Sequence, residues 1–578
     1  MPTDRPAREH APNLVPAVMR RRELVVAVSI VVLPIVLAAV HVLQTRYFPA
    51  SDVAIIQLDL AHAQRGIPLT GVYSRFGFRH PGPALYAWLA PFWHTFAGEG
   101  LVVGAAAWNA LNAAAIVLLF ARRGGRWLLL CGTVVLWSLE LGVLSDLVSP
   151  WNPWMVLLPT CLLLLVTWET LAGSAYFCAA VVGVASVVVQ FHIGLAPLGA
   201  VACVAATVRA ALAPRKAGER GGSRWRPLMY AGVVAALLWA APLLEQLAGN
   251  PGNFTKIADA MSHPSEPIAG PAVGLDATRQ ALAWPPPWFD TPESNFAGQP
   301  VAPSVWRIVP FGVGLVVALW CAARDRVGRI PLAVGVGAVI VGWAACSRIT
   351  GPALFYVIRW TWIPAALLWV VMCWLVGRRL ASAPAIQRRW PGMSRVGAGT
   401  AAAVLAAAAV SLVVARDVAP PDAVGSTLVD RVIDPVAAAA RRDSPIGTRL
   451  VGETLQGAGI GIVAELDRRG FAVYVPDEYE TSVGVDRVRA GREVGQELTV
   501  SVSYRDVFLD TSDPLVAAWD PLTPTLRAEV SRLEQLHRDV LTGTVPRTAM
   551  SAVEVARREE LIGRGPAIAV YLGPRYQP

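Results

Sequence analysis

Between Ser51 and Gly98 the chain reads SDVAIIQLDLAHAQRGIPLTGVYSRFGFRHPGPALYAWLAPFWHTFAG, and there its side chains could do chemistry. The stretch gathers Asp52 and Asp59, His62, His80 and His94, and Arg65, Arg75 and Arg79 between two strongly apolar runs. If DVAIIQLDLAHAQR is a short helix at the membrane interface, its two acids share one face. Their spacing of seven residues then sets them roughly 10 Å apart along the axis, at about 1.5 Å per residue. Carboxylates so separated cannot grip one small atom, so their jobs divide. One acts on an acceptor hydroxyl; the other orients the helix, binds a metal or reaches another part of the substrate. Asp52 follows the first apolar run directly and lies nearest a lipid-borne headgroup, which makes it the candidate general base. Ser51-Asp52 also reads as a helix N-cap, where Asp accepts backbone N–H groups. Arg75, Arg79 and His80 offer a phosphate clamp, because the planar guanidinium matches phosphate oxygens. The other use of arginine at a membrane surface is to snorkel toward headgroups.

These groups belong to a chain that is mostly at home in hydrocarbon. Of its 578 residues 54% are hydrophobic and only 16% charged, with mean hydropathy +0.48, whereas a soluble globular chain carries about a quarter charged residues. An integral membrane protein follows. Runs of membrane-crossing length occur near 24–44, 100–120, 127–145, 153–170, 174–190, 194–212, 228–247, 304–323, 330–346, 361–377 and 397–415. The expected class is a polytopic α-helical membrane protein of about 11 transmembrane helices. Arg20–Arg22, Arg122–Arg126, Arg209–Arg226, Arg324–Arg329 and Arg378–Arg395 fall on alternate sides of these runs, hence all on one face. The positive-inside rule makes that face cytoplasmic. No small-residue cleavage site follows the first run, so it is expected to stay as a helix behind a cytoplasmic segment, 1–23.

The formal charge of +9 divides unevenly. From Arg416 onward 19 Arg stand against 24 Asp and Glu, a net of −5, which leaves +14 for residues 1–415. The basic excess thus reports orientation rather than nucleic-acid binding. All seven cysteines fall in apolar runs, so neither a disulfide framework nor a cysteine zinc site is expected.

With that topology the outer face receives 45–98, Ser145–Asn152, the turn at Gln190–His192, the loop 248–303, Ser347–Trp360 and everything after Val414. The Pro- and Gly-rich loop 248–303 should be irregular, its WPPPWF forming an aromatic belt or a lid. Past Arg416, TRLVGET, FAVYVPD, ELTVSVSY and PAIAVYLGP read as strands. LQGAGIGIVAELDRRG, PLTPTLRAEVSRLEQLHRDVLTG and TAMSAVEVARREELIGRG read as helices, giving a C-terminal extracytoplasmic α/β domain over 416–578. The GAGIG cluster lacks the spacing of a dinucleotide turn and reads as a packing or turn feature.

The outer segments add further candidates. Asp146, at the end of the third run, either assists Asp52 or caps a turn. Glu140, inside that run, needs a partner or water. His192 is either a substrate contact or a packing group, and Arg359 either binds a phosphate or stacks in an aromatic belt.

A first span, an outward loop whose acid follows at once, then His80-Pro81-Gly82-Pro83 and an interfacial helix together resemble the GT-C class of polyprenyl-phosphate-sugar-dependent glycosyltransferases. The likeness is to the protein mannosyltransferase and aminoarabinose transferase branch and to many actinobacterial membrane proteins, and it covers roughly 24–415. It implies that Asp52 matches the catalytic acid of the first loop and Asp146 a second acid, and that Arg359 is the late-loop arginine on the donor phosphate. It also implies inversion at the anomeric carbon. Gly82 stands where the mannosyltransferase pattern has proline, and Val53 where a second acid would follow Asp52.

The expected function is transfer of a sugar from a polyprenyl-phosphate donor to a cell-envelope acceptor (glycan, lipid or protein) on the extracytoplasmic side. Asp52 and Asp146 would be catalytic, and Asp59, Arg75, Arg79, His80, His192 and Arg359 substrate-binding. No cofactor is certain and a divalent metal is possible; the expected partners are the lipid-linked sugar donor, the cell-envelope acceptor and the lipid bilayer, with no nucleic acid. The alternatives are a transporter or flippase of lipid-linked saccharide, which calls for internal repeats and midplane acids, and a non-catalytic membrane scaffold.

Overall fold

The computed structural model describes residues 17–63, 68–212, 225–290, 300–382, 397–452, 457–504, 507–509 and 511–574, so Arg65 lies outside them. Each of the eleven apolar runs falls on a helix. Among the described residues eight helices are long and apolar enough to cross a membrane, and Phe177–Phe191 and Val404–Arg416 are apolar but shorter.

Helix α1 (Ala17–Leu43) leads to α2 (Ser51–Ala63) and then to α3 (Ala84–Gly142), which is three helices in succession with breaks at Ala97 (φ 54°) and Gly125 (φ 60°). At Gly125 the chain reverses. The Phe120 ring occupies the place a Cβ on Gly132 would take, whereas a straight helix would hold these residues roughly 18 Å apart. Only glycine adopts that positive φ without a steric penalty. At Ala97 the first piece folds back, and the Trp88 indole donates to the Gly104 carbonyl at 2.8 Å. The helix expected after Pro83 is therefore this first piece, folded back on the rest of α3.

The two ends of the bundle differ. At one end arginines tie the connections together: Arg126 to Glu23 at 3.3 Å, Arg123 to Glu169 at 2.9 Å and Arg378 to Asp325 at 2.9 Å. The other end carries α2, the loop segments around Asp146, His192 and Arg359, and the C-terminal domain.

That domain holds a five-stranded sheet, ordered β2-β1-β3-β5-β4: β1 (Ile446–Val451), β2 (Val473–Tyr474), β3 (Gln496–Ser503), β4 (Leu515–Trp519) and β5 (Ala567–Pro574). β1 runs parallel to β2 and β3; β5 runs antiparallel to β3 and β4. The amphipathic helices Ala423–Ala439 and Ala458–Arg468 share an apolar core with one sheet face. The strand expected over FAVYVPD is real but only two residues long.

Helix α2 is the joint between the two parts. Val53, Ile56 and Leu60, three and four residues apart, pack into the membrane core, whereas Ala54, Ile55 and Leu58 pack into the core of the C-terminal domain. A helix presents such i, i+3 and i+4 sets as separate faces, so one short helix is buried on two sides. Polar links lock it: the Gln57 amide donates to the Ala464 carbonyl at 3.2 Å, and Arg487 to that of Leu58 at 3.3 Å. The GAGIG cluster makes the approach possible. A Cβ on Gly461 would lie 2.9 Å from the Pro49 carbonyl, and one on Gly457 would overlap the Ser51 backbone.

Candidate active site at one end of the bundle

Asp52, in the first turn of α2, is half-buried. Its Oδ1 accepts from the Tyr73 hydroxyl at 2.7 Å, and the nearby Trp151 indole also favours the ionised form. Burial pushes the Asp52 carboxyl up from the usual range, and the Tyr73 bond and then the Trp151 indole pull it back. The Tyr73 phenol is raised in turn, by burial first and by the Asp52 charge second.

Tyr73 arrives on a hairpin. Gly71 N–H donates to the His80 carbonyl, His80 N–H to Val72 and Ser74 N–H to Phe78, each at 2.8 Å, and Gly77 turns the chain at φ 82°. The alternation of aromatic and basic residues in YSRFGFRH is thus a strand alternation. Tyr73 and Arg79 pair across the hairpin, and each takes one of the α2 acids. Arg79 donates to Asp59 at 2.9 Å, to the Ser482 carbonyl at 2.8 Å and to the Gly71 carbonyl at 3.4 Å, and Tyr86 also hydrogen-bonds Asp59. Burial works against the Arg79 charge, but Asp59 outweighs it and the guanidinium is raised. Asp59 and Arg79 are therefore each other's partners, and Arg79 also reaches the C-terminal domain.

His80 and His192 come together, with ring centroids 5.2 Å apart. His80 Nδ1 accepts from Ile193 N–H at 3.1 Å and His192 Nδ1 from Gly194 N–H at 3.2 Å, so each ring keeps its proton on Nε2. Burial, and then the neighbouring His192, hold His80 well below its ordinary value; burial lowers His192 to about 4. Both are neutral imidazoles at pH 7. Gly82 has a steric cause: a Cβ there would overlap the Gln190 carboxamide, which accepts from Ala84 N–H at 3.3 Å and donates to the Leu238 carbonyl at 2.7 Å.

Asp146 and Arg359 form an ion pair, both largely buried. The Arg359 guanidinium lies 4.0 Å from the Phe355 ring centroid, 4.6 Å from Trp154 and 5.2 Å from Trp362. The sequence offered phosphate binding or aromatic stacking for Arg359; the stacking is present, together with a pairing to Asp146 that the sequence did not suggest. Trp151 links this pair to Asp52, for its ring meets Trp154 edge-on at 5.4 Å and packs on Tyr356 at 4.8 Å. Arg75 is looser, reaching the Thr350 carbonyl at 3.4 Å and lying over Phe76 at 4.7 Å. Glu140 is fully buried, and neither carboxyl oxygen has a partner among the described residues.

Tyr73, Trp151 and Tyr356 were not singled out from the sequence, and neither was Asp422. The last precedes the helix Ala423–Ala439 at φ 49° and makes no cap bond to it. Its own surface is open, while surrounding protein and then the Asp52 charge push its carboxyl up to about 7. Asp422 belongs to the segment PPD, which carries no periodic signal. Among the described residues no group of three or more His, Cys, Asp or Glu side chains is placed to hold a metal ion. The cysteines are free thiols.

No protein-family model and no curated protein matches this chain. Solved structures do. ArnT from Cupriavidus metallidurans bound to undecaprenyl phosphate is similar at TM-score 0.50 and 13% identity, covering 84% of this chain and 95% of that one. The chain shares the fold of ArnT. The apo state of the same protein is similar at TM-score 0.44 and 12% identity, over 80% and 90% of the two chains. The structural likeness to ArnT runs through most of the chain, beyond the 24–415 over which the sequence resemblance was drawn.

Proposed function

We propose that the protein is a membrane glycosyltransferase that moves a sugar from a polyprenyl-phosphate donor to a cell-envelope glycan, lipid or protein. We place the arginine-rich end in the cytoplasm and, with eleven crossings, the site and the C-terminal domain on the extracytoplasmic face. One observation carries the reading: Asp52, which accepts a hydrogen bond from Tyr73, is linked through Trp151 to the Asp146–Arg359 pair at the end of the bundle opposite the arginine-rich connections. The undecaprenyl phosphate bound to ArnT supports a lipid-phosphate donor.

In the proposed reaction the acceptor hydroxyl gives its proton to Asp52 as its oxygen attacks the anomeric carbon. The bond from that carbon to the phosphate oxygen breaks, and its electron pair leaves with the lipid phosphate. Arg359, oriented by Asp146 and seated on aromatic rings, neutralises the leaving charge, with Arg75 at the rim. His80 and His192 add neutral Nε2–H donors, and Asp59 with Arg79 fixes α2 against the hairpin. Attack opposite the leaving group gives inversion.

The test is mass spectrometry of envelope glycans in cells with the gene, without it, and with a D52A copy. Loss of one glycan species without the gene, and its absence with D52A at normal protein level, is the expected result. Unchanged glycans, or full restoration by D52A, overturn the reading.

A further inference from the structure

The hairpin treats the two acids of α2 differently. Tyr73 and Arg79 face one another across it, yet the cation goes to Asp59 and a neutral hydroxyl to Asp52. The Trp151 indole, which also favours the ionised acid, is neutral too. A cation at hydrogen-bond distance would hold a carboxylate ionised but strip it of basicity, whereas neutral donors orient it and leave it able to accept a proton. Trp151 has a second duty. Through Trp154 it sits between the acid and the arginine, with ring contacts at 5.4 Å and 4.6 Å.

We propose that Tyr73 and Trp151 are positioning residues that hold the Asp52 carboxylate ionised and in one orientation, with Trp151 also keeping it in register with the Asp146–Arg359 pair. The proposal rests on the reading of Asp52 as the base. The other ionisable groups bearing on Asp52 are Asp422, from the segment before the C-terminal domain, and Tyr356, from the turn Phe355–Ile358; Arg75 stands beyond Tyr356. Donors favour the ionised acid, whereas Asp422, held up to about 7 by burial and the Asp52 charge, is already neutral where Asp52 titrates.

The experiment follows the pH dependence of carbodiimide labelling at Asp52, read by mass spectrometry on the full chain in lipid nanodiscs, so that it needs no turnover. Tyr73→Phe and Trp151→Phe are expected to raise the labelling midpoint by about one to two pH units, and Asp422→Asn to leave it in place. Transfer assays on the same variants should show the acid limb of kcat/KM following the midpoint. Trp151→Ala should in addition raise the donor KM at least several-fold above that of Trp151→Phe. A midpoint unmoved in both Tyr73→Phe and Trp151→Phe, at wild-type melting temperature, overturns the orienting role. Equal donor KM in the two Trp151 variants overturns the register role. Shifted labelling in a chain that transfers no sugar supports the positioning and refutes the base reading instead.

Discussion

The backbone N–H of Ser51 donates to the carbonyl of Gly457 at 3.0 Å, so the residue before Asp52 is held by the C-terminal domain. Both residues sit at positive φ, 52° for Ser51 and 59° for Gly457. The domain is therefore part of the scaffold around Asp52, not an appendage to it.

A side chain at 457 should separate the two. Gly457→Ala places a non-glycine residue in the left-handed region, at a cost of about 1–3 kcal/mol, and pushes its Cβ into the Ser51 backbone. The expected outcome is a lower melting temperature, faster proteolysis between the last apolar helix and the domain, and weaker sugar transfer. Normal proteolysis with normal transfer would show that the contact is incidental.

Gly82 and Gln190 should behave as a coupled pair. Gly82→Ala overlaps the Gln190 carboxamide, and overpacking of this kind typically costs about 1–3 kcal/mol. Gln190→Ala alone frees the Ala84 N–H and the Leu238 carbonyl. The double variant should recover part of the loss from the first, giving a coupling of about 0.5–3 kcal/mol by thermal melting. Strict additivity would mean that the turn relaxes independently of Gln190.

The histidine pair predicts an acid-side weakness. His80 and His192 have folded-state values below the ordinary imidazole value, His192 at about 4. Unfolded chains therefore bind more protons as pH falls below about 6.5. Their stabilising contribution is complete above that pH and is lost progressively down to the folded-state value. Melting temperature should fall between pH 6.5 and 4.5, and His192→Asn should flatten that slope. An equally steep slope in the variant would place the acid sensitivity elsewhere.

Much of this was legible in the sequence, and for physical reasons. Crossing a membrane demands long apolar runs, and each of the eleven lies on a helix. The sheet strands of the tail announced themselves by β-branched runs, as in ELTVSVSY. Leu515–Trp519 did not, because LVAAW is short and weakly patterned. Asp52 could be chosen by its place after the first span. Its neighbours could not, because Tyr73 and Trp151 come to it only through a hairpin and a turn distant in sequence. Asp59 and Arg79 were read as substrate groups from their types alone; their mutual pairing is a tertiary fact, as is the two-sided burial of α2. The glycines of GAGIG were correctly assigned to packing, but their target, the Ser51 end of α2, lies about 400 residues away.

Arg359 offers a test that separates charge from shape. The guanidinium is both paired with Asp146 and seated among Phe355, Trp154 and Trp362. Lysine keeps the charge but not the plane that stacks on rings and spans two phosphate oxygens. Arg359→Lys should therefore raise the donor KM about 10- to 100-fold, corresponding to about 1.4–2.8 kcal/mol, with a smaller effect on acceptor KM. Arg359→Ala should lose more, because it leaves the buried Asp146 without its counter-ion. Asp146→Asn keeps the arginine's charge and rings but loosens its aim, so it should lower kcat more than it raises donor KM. Steady-state kinetics with the two substrates varied separately decide the matter. If Arg359→Lys binds donor like the wild type, the arginine is an aromatic-belt residue, and the donor phosphate must be met by Arg75 and the two histidines.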